Sequence, residues 1–399
     1  MTADESWQWP MAELNIETTN LILLGVILSL SIFADALANR THLPRISLLV
    51  LVGVGVAMVQ QWGLDQPGGQ PLAGLSEPLI HVALVMVAFL LGGELTLRRL
   101  RNIGSLIMLL SLTVLMTGMA VVGVGLLLLG FPLVVAVSLA AISVATDPAE
   151  ISEAVHERGD TRLHARLLMG VVAIDDAWGI LFFGLAMALL GWQLGGDGTI
   201  ALLQAGWELG GALVLGAIVG LPAAWLTGRL KPGEPTQVEA FAVILLLAGL
   251  SLWLEVSALL AALFAGALVA NLSTHHTRSF NEIEHIEWPF LVFFFVFSGA
   301  SIDLSYVDSA IWLTLAYIAL RLSGRYLGGV LGGHLVRRQA RLPHDIGLAL
   351  TPQAGIAMGM ALLVAERFPD YGTLILSTVV VSTVFFELLG PFLVRHVLR

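Results

Sequence analysis

Residues 143–151 are Ser-Val-Ala-Thr-Asp-Pro-Ala-Glu-Ile, and residues 348–356 are Leu-Ala-Leu-Thr-Pro-Gln-Ala-Gly-Ile. Each lies in an apolar run, and each places a proline one or two positions after a threonine. Aligning Thr146 with Thr351 also matches Ala149 with Ala354 and Ile151 with Ile356. Proline has no amide hydrogen, so Pro148 cannot bond the carbonyl of Val144, nor Pro352 that of Leu348. Asp147 and Thr351, each preceding a proline, are steered away from helical geometry. Both segments are therefore expected to be broken helices, whose freed carbonyls and half-helix ends are ready partners for an ion.

The chain around them is built for lipid. Of its 399 residues 57% are apolar and only 12% charged, with a mean hydropathy of +0.89. Soluble domains carry about 25% charged residues, so too few ionic groups remain to clothe a water-facing surface. That excludes most soluble enzymes, nucleic-acid binders and disordered chains. Uncharged or nearly uncharged runs fall at about 20–39, 44–63, 78–97, 104–130, 132–150, 167–192 and 200–228, then 237–254, 256–272, 287–302, 309–334, 345–365 and 371–394. A membrane-spanning helix needs about 20 apolar residues, which makes thirteen candidate spans. The runs are continuous rather than alternating, which excludes a closed β-barrel. No cysteine is present, so disulfides, thiolate metal sites and cysteine nucleophiles are excluded. The first 19 residues are acidic (Asp4, Glu5, Glu13, Glu17) and lack the basic start of a signal peptide, so the first run is expected to remain as a helix. The longest polar connections are too short to bury a core, and nothing follows the last run. A single membrane domain over 1–399 without a regulatory tail is expected.

With the N-terminus outside and the C-terminus in the cytoplasm, sixteen of the nineteen Lys and Arg fall in inner loops and only Arg367 outside; Arg321 and Arg325 lie within a run. This asymmetry satisfies the positive-inside rule and favours an odd number of spans in a plasma or inner membrane. The two broken runs are seven apart, so they point in opposite directions across the bilayer. Runs one to six and eight to thirteen then form two inverted six-helix repeats joined by a linker helix, about 200–228. Inverted repeats with paired broken helices are a plan that secondary transporters use.

The sixth run contains Gly-Val-Val-Ala-Ile-Asp175-Asp176-Ala-Trp-Gly-Ile. An aspartate at a helix centre costs about 2.5–3.5 kcal/mol on insertion scales, so two in succession demand a use. Adjacent residues point ~100° apart, so the two carboxylates share a depth but face different neighbours. One can take a fixed counter-charge while the other faces a water-filled cavity and exchanges protons. Arg321 and Arg325, four apart on one face of the eleventh run, supply the counter-charge; which of them pairs is open. Asp147 either caps the half-helix whose positive end faces it or ligates the ion, with capping preferred. Glu94, Glu387 and Asp35 are read as structural, and Glu208 and Glu255 as interfacial. Adjacent aspartates cannot face each other as a protease dyad, no His-Glu-x-x-His zinc motif occurs, and a passive channel calls for a filter motif. The chain is read as a transporter and not an enzyme.

Thr146-Asp147-Pro148 on one broken helix, with Asp175-Asp176 on the next, resembles the monovalent cation/proton antiporters, the Na⁺/H⁺ exchanger superfamily. Gly-Arg325-Tyr-Leu-Gly is similar to that family's Gly-Lys-x-x-Gly region. The resemblance implies an elevator-type homodimer, with moving core helices at about 104–192 and 309–394 and dimerisation helices at about 20–97 and 237–302. It further implies two crossing broken helices, Asp176 as the carboxylate exchanging cation and proton, Asp175 held by the basic residue of helix eleven, and Thr146 with the unwound backbone coordinating the ion. Asp176, Asp175 and Thr146 are thus the implied Na⁺ ligands. No cofactor is implied beyond the transported ions, and no nucleic-acid partner. Arginine stands where charge-moving relatives have lysine, and unlike lysine it does not release its proton when buried; one proton per cation is expected, although two titrating carboxylates permit two. The expected cation is Na⁺, with Li⁺ next; the alternatives are a K⁺/H⁺ antiporter or another cation-coupled transporter of similar fold.

Overall fold

A computed structural model describes residues 16–41, 45–63, 73–97, 105–147, 151, 155, 163–194, 198–227, 236–273, 276–300, 307–336, 342–353 and 355–399. Among these the chain forms thirteen α-helices and no strand. They are α1 (Ile16–Thr41), α2 (Arg45–Gly63), α3 (Ala73–Glu94), α4 (Ser105–Leu128), α5 (Leu133–Ile142), α6 (Leu163–Leu194) and α7 (Gly198–Thr227). There follow α8 (Thr236–Leu254), α9 (Ala258–Leu272), α10 (His276–Ala300), α11 (Val307–Val336), α12 (Gly355–Arg367) and α13 (Pro369–Val397). A 3-10 turn, Ile346–Leu350, precedes α12. Each apolar run of the sequence holds one of these helices, because in lipid only a helix satisfies its own backbone amides.

Eight of them, α1, α3, α4, α6, α7, α8, α10 and α13, are long and apolar enough to cross a membrane by length and composition. Of the other five, α11 runs for 30 residues and α2 for 19, whereas α5, α9 and α12 have 15 or fewer. The break segments cut short α5, with 10 residues, and α12, with 13. Helix α5 stops at Ile142, ahead of the Thr-Asp-Pro sequence, where the Ser143 hydroxyl donates back to the carbonyl of Ala140 and competes with the helical pattern. The twelfth run begins as the 3-10 turn and loses regular helix over Thr351–Gln353, and helix resumes at Gly355. Thr351 itself, contrary to the expectation from the proline after it, keeps near-helical dihedrals (φ −79°, ψ −33°) as the cap of the 3-10 turn. Between α8 and α9 the chain reverses at Glu255, whose φ of 53° is the left-handed conformation. The amide of Val256 bonds the carbonyl of Ser251 and that of Glu255 the carbonyl of Leu252, closing the end of α8 as a glycine would. Pro148 lies outside the described residues.

Helix pairs come together where neither carries a side chain. Gly92 of α3 and Gly266 of α9 meet so closely that a methyl on Gly92 would overlap the Leu263 carbonyl, and one on Gly266 that of Phe89. Gly53 of α2 and Gly299 of α10 repeat the arrangement against the carbonyls of Val296 and Val50. Lipid offers no hydrophobic drive for helix association, so close backbone approach supplies the contact. Helix α4 packs along α11, and the apolar core runs between these pairs.

These contacts predict opposite signs for one kind of substitution. Gly266→Ala should destabilise the detergent-solubilised protein by about 1–3 kcal/mol through overpacking. Gly25→Ala, on α1 with nothing within 4 Å, should be neutral or stabilising by up to about 1 kcal/mol from helix propensity. Thermal unfolding of both variants checks this.

Candidate functional site

The two interrupted segments meet at their breaks. The amide of Asp147 donates to the carbonyl of Pro352 at 3.0 Å, tying residues 205 positions apart in the chain. The carbonyl of Asp147 in turn accepts from the amide of Ile151 at 3.4 Å. Thr146, Thr351, Pro352 and Gln353 are buried, and Asp147 is half-buried. The Thr351 hydroxyl oxygen has no hydrogen-bond partner among the described residues.

Backbone opened at this depth has to be satisfied, and α11 supplies the donors. Arg321 and Arg325 are only 1% and 2% exposed. From Arg321, Nε donates to Ser143 O at 3.1 Å, Nη2 to Ala145 O at 2.8 Å and Nη1 to Thr351 O at 2.6 Å. One guanidinium thus bridges both breaks. Arg325 Nη2 reaches Val144 O at 2.6 Å, with Ser143 O at 3.1 Å and Ala145 O at 3.3 Å. The carbonyl of Val144, freed by the proline four residues on, therefore accepts from an arginine instead of standing open to an ion. The Arg321 guanidinium also lies 4.3 Å from the centre of the Phe386 ring on α13, a cation–π contact that helps hold a charge away from water.

Arg325 turns its other terminal nitrogen toward α6, where Nη1 lies 3.6 Å from Asp175 Oδ2. Asp175 is fully buried, and its Oδ1 accepts from the Ser111 hydroxyl of α4. Among the described residues Arg321 forms no ion pair, so the two arginines divide the work. Arg321 serves backbone, and Arg325 serves both backbone and the acid. Asp176 continues the backbone of α6, and its side chain lies outside the described residues. Tyr317, one turn before Arg321 on α11, places its hydroxyl 3.5 Å from the Gln353 amide.

Three contributors are not legible in the sequence: Ser111, Gln353 and Glu387. Serines and glutamines carry no pattern that sets them apart, and Glu387 stands alone on α13. It is buried, accepts from the Ser47 hydroxyl of α2 at 2.6 Å and lies within electrostatic reach of Asp147. Glu208, read as interfacial, holds Arg367 at 2.6 and 2.7 Å, linking α7 to α12.

An all-helical membrane protein with an acid–guanidinium pair where two interrupted helices meet has the architecture of a secondary transporter. The profile of the family described as "sodium/hydrogen exchanger, transmembrane" matches residues 25–399, and the chain belongs to that family, within the monovalent cation/proton antiporters. These are transporters rather than enzymes and need no cofactor; the ions are their substrates. The chain is 20% identical over 375 residues to the ammonium/H⁺ antiporter subunit AmhT of Alkalihalophilus pseudofirmus, covering 92% of each. It is 23% identical over 353 residues to the K⁺/H⁺ antiporter subunit KhtU of Bacillus subtilis, covering 85% of this chain and 84% of that one. In fold it is similar to the sodium proton antiporter MjNhaP1 of Methanocaldococcus jannaschii at pH 8, with a TM-score of 0.71 at 18% identity, covering 96% of this chain and all of that one.

The carbonyl contacts predict a structural penalty at Arg321. Arg321→Gln takes the donor from the Thr351 carbonyl, whereas Ser143 O and Ala145 O keep Arg325 Nη2, and one unpaired buried group costs about 1–3 kcal/mol. A loss of about 1–3 kcal/mol is expected in thermal unfolding. Arg325→Lys, which keeps a cation beside Asp175, should cost less.

Proposed function

We propose that the protein exchanges a monovalent cation for protons across the membrane by alternating access of the elevator type. The observation that carries this reading is the buried Asp175–Arg325 pair against the meeting point of the two breaks, with Asp176 next in the chain. A clamp on Asp175 leaves Asp176 as the acid that binds either a dehydrated cation or a proton, never both at once. Competition for one carboxylate couples the two fluxes without covalent chemistry. A bare buried carboxylate is too costly to carry past apolar helices, so only the neutralised site moves. Thr146 and the unwound backbone complete the cation's shell in this scheme, and Asp147 caps the segment beyond the break. Arg325 keeps its proton throughout, which favours one proton per cation and an exchange insensitive to membrane voltage.

The same reading assigns α4–α6 and α11–α13 to a moving core, α1–α3 and α8–α10 to a fixed panel, and α7 to the linker between two inverted halves. Two features support the duplication. The glycine contacts α3–α9 and α2–α10 exchange places when the halves are swapped, and the pair α4–α11 maps onto itself. The panel is assigned the dimer contact. Of the eight long apolar helices, α1 and α8 are the least covered by the rest of the chain, which leaves them free to face lipid or a second copy. The basic residues place the N-terminus outside and the C-terminus in the cytoplasm, in a plasma or inner membrane.

For the ion, the aspartate pair resembles Na⁺ exchangers, with Li⁺ the next candidate. The names of the two curated relatives favour a second reading, a larger ion such as K⁺ or ammonium. Proteoliposomes holding a pH gradient, challenged with Na⁺, Li⁺, K⁺ and ammonium in turn, separate the two.

Asp176→Asn should reduce cation-driven dissipation of the pH gradient to the rate of protein-free vesicles, and normal exchange by this variant would sink the assignment. Arg325→Lys should fold and still exchange, with an altered pH profile or charge stoichiometry. If both stay as in the wild type, the Arg325–Asp175 pair does not govern the exchange.

A further inference from the structure

Away from the aspartates, at the opposite end of α3 and α12, three side chains converge that the exchange does not use. Glu77 and His81 stand one turn apart on α3, and Glu366 lies in the last turn of α12. One ligand atom from each falls within 4.8 Å of the others. His81 is only 2% exposed, whereas both glutamates are exposed. Its Nδ1 sits 3.1 Å from the backbone carbonyl of Glu77. A carbonyl only accepts, so this nitrogen carries a proton, and in the neutral ring Nε2 is the one with the lone pair. Nε2 faces Glu366 Oε2 across 3.8 Å, too far for a hydrogen bond.

A buried imidazole with one nitrogen held by a carbonyl, and the other aimed across a gap at a carboxylate, is oriented as metal-bound histidines are. The neighbouring cation does not fill the gap, because Arg367 is held by Glu208. Both His81 and Glu366 border a cavity of about 910 Å³ between α3, α6, α7, α8, α9 and α12, which gives an ion a way in. We infer that Glu77, His81 and Glu366 form a binding site for a borderline divalent cation of the Zn²⁺ class, with water as the remaining ligand. Zinc binds nitrogen and carboxylate oxygen at about 2.0–2.2 Å in a tetrahedron, which sets its ligands about 3.3 Å apart. The two exposed glutamates have to close by at most about 1.5 Å, a rotamer adjustment. Calcium and magnesium prefer shells made only of oxygen, so the imidazole selects against them.

The site also straddles a boundary. Glu77 and His81 belong to the panel helix α3, and Glu366 to the core helix α12. A bound ion therefore cross-links the two bodies at the face where Leu84 of α3 lies against Gly359 of α12. On the exchange reading above, on which this second part rests, the ion holds the core in one position and external metal arrests transport. By the topology above, both ligand-bearing helix ends lie on the outer side.

The test uses full-length, tag-free protein and ZnCl₂. Calorimetric titration should show one saturable site per chain and a rise in melting temperature, with affinity at least tenfold weaker in Glu366→Gln and in His81→Gln. Glu366 is exposed, so its variant decides the matter should the buried histidine's variant fail to fold. Equal zinc affinity in wild type and Glu366→Gln overturns the site. In proteoliposomes, external zinc should slow cation/proton exchange by the wild type and leave Glu366→Gln, whose exchange without metal is unchanged, unaffected. Zinc bound at this site with exchange undiminished overturns the cross-link. A chain that binds zinc here but moves no cation for protons refutes the exchange reading alone and leaves the site standing, because the titration needs no transport.

Discussion

Two guanidinium groups hold the centre of this molecule open. A helix interrupted within a membrane leaves carbonyls that neither water nor lipid can satisfy, and each unpaired one weighs several kcal/mol against the fold in that medium. Arg321 and Arg325 present a fixed fork of donors from an unbroken helix and take the carbonyls of Ser143, Val144, Ala145 and Thr351. Lysine also has three donors, but they radiate from one nitrogen on a flexible stem, whereas the guanidinium of Arg321 holds its donors in a rigid planar fork that reaches both breaks. The cost of burying two positive charges is met by those carbonyl dipoles, by the Phe386 ring and by the single carboxylate of Asp175.

The rest of the site follows from where these groups sit. Arg325 is committed to both backbone and acid, so the position of Asp175 is tied to the geometry of the first break. Ser111 fixes the other carboxylate oxygen from α4. The amide of Asp147 reaching Pro352 joins the first break to the second. Strands of contact from α4, α5, α6, α11 and the segment before α12 thus converge in one hydrogen-bonded unit. Such a unit can move as a body without exposing its carbonyls, which is what the proposed exchange asks of it. The surrounding helices make a different kind of contact, backbone against backbone at paired glycines in α2, α3, α9 and α10.

Much of this was legible beforehand. Thirteen apolar runs give thirteen helices because a buried amide in lipid has no other solution. The two proline segments mark the interruptions, since a missing amide hydrogen is a local property of the residue. What differed was the extent of the breaks. Helix α5 ends at Ile142, before the threonine, and the twelfth run starts as a 3-10 turn. Both outcomes depend on arginines about 180 residues away, or fewer, accepting the loosened backbone, and no window on the sequence contains that information. The Val144 carbonyl shows the same division: its release is local, and its bond from Arg325 is not.

The sequence by itself determined a membrane chain of thirteen helices, two of them interrupted, with acids and arginines placed in the apolar interior. Those features rest on composition, on period and on proline, all short-range. Only the tertiary structure decided which arginine meets Asp175, that the other spans the two breaks, and that Glu77, His81 and Glu366 share a corner. Each is a contact between elements far apart in the chain, and hydrogen bonds and ion pairs form over a few ångströms of space regardless of separation in sequence.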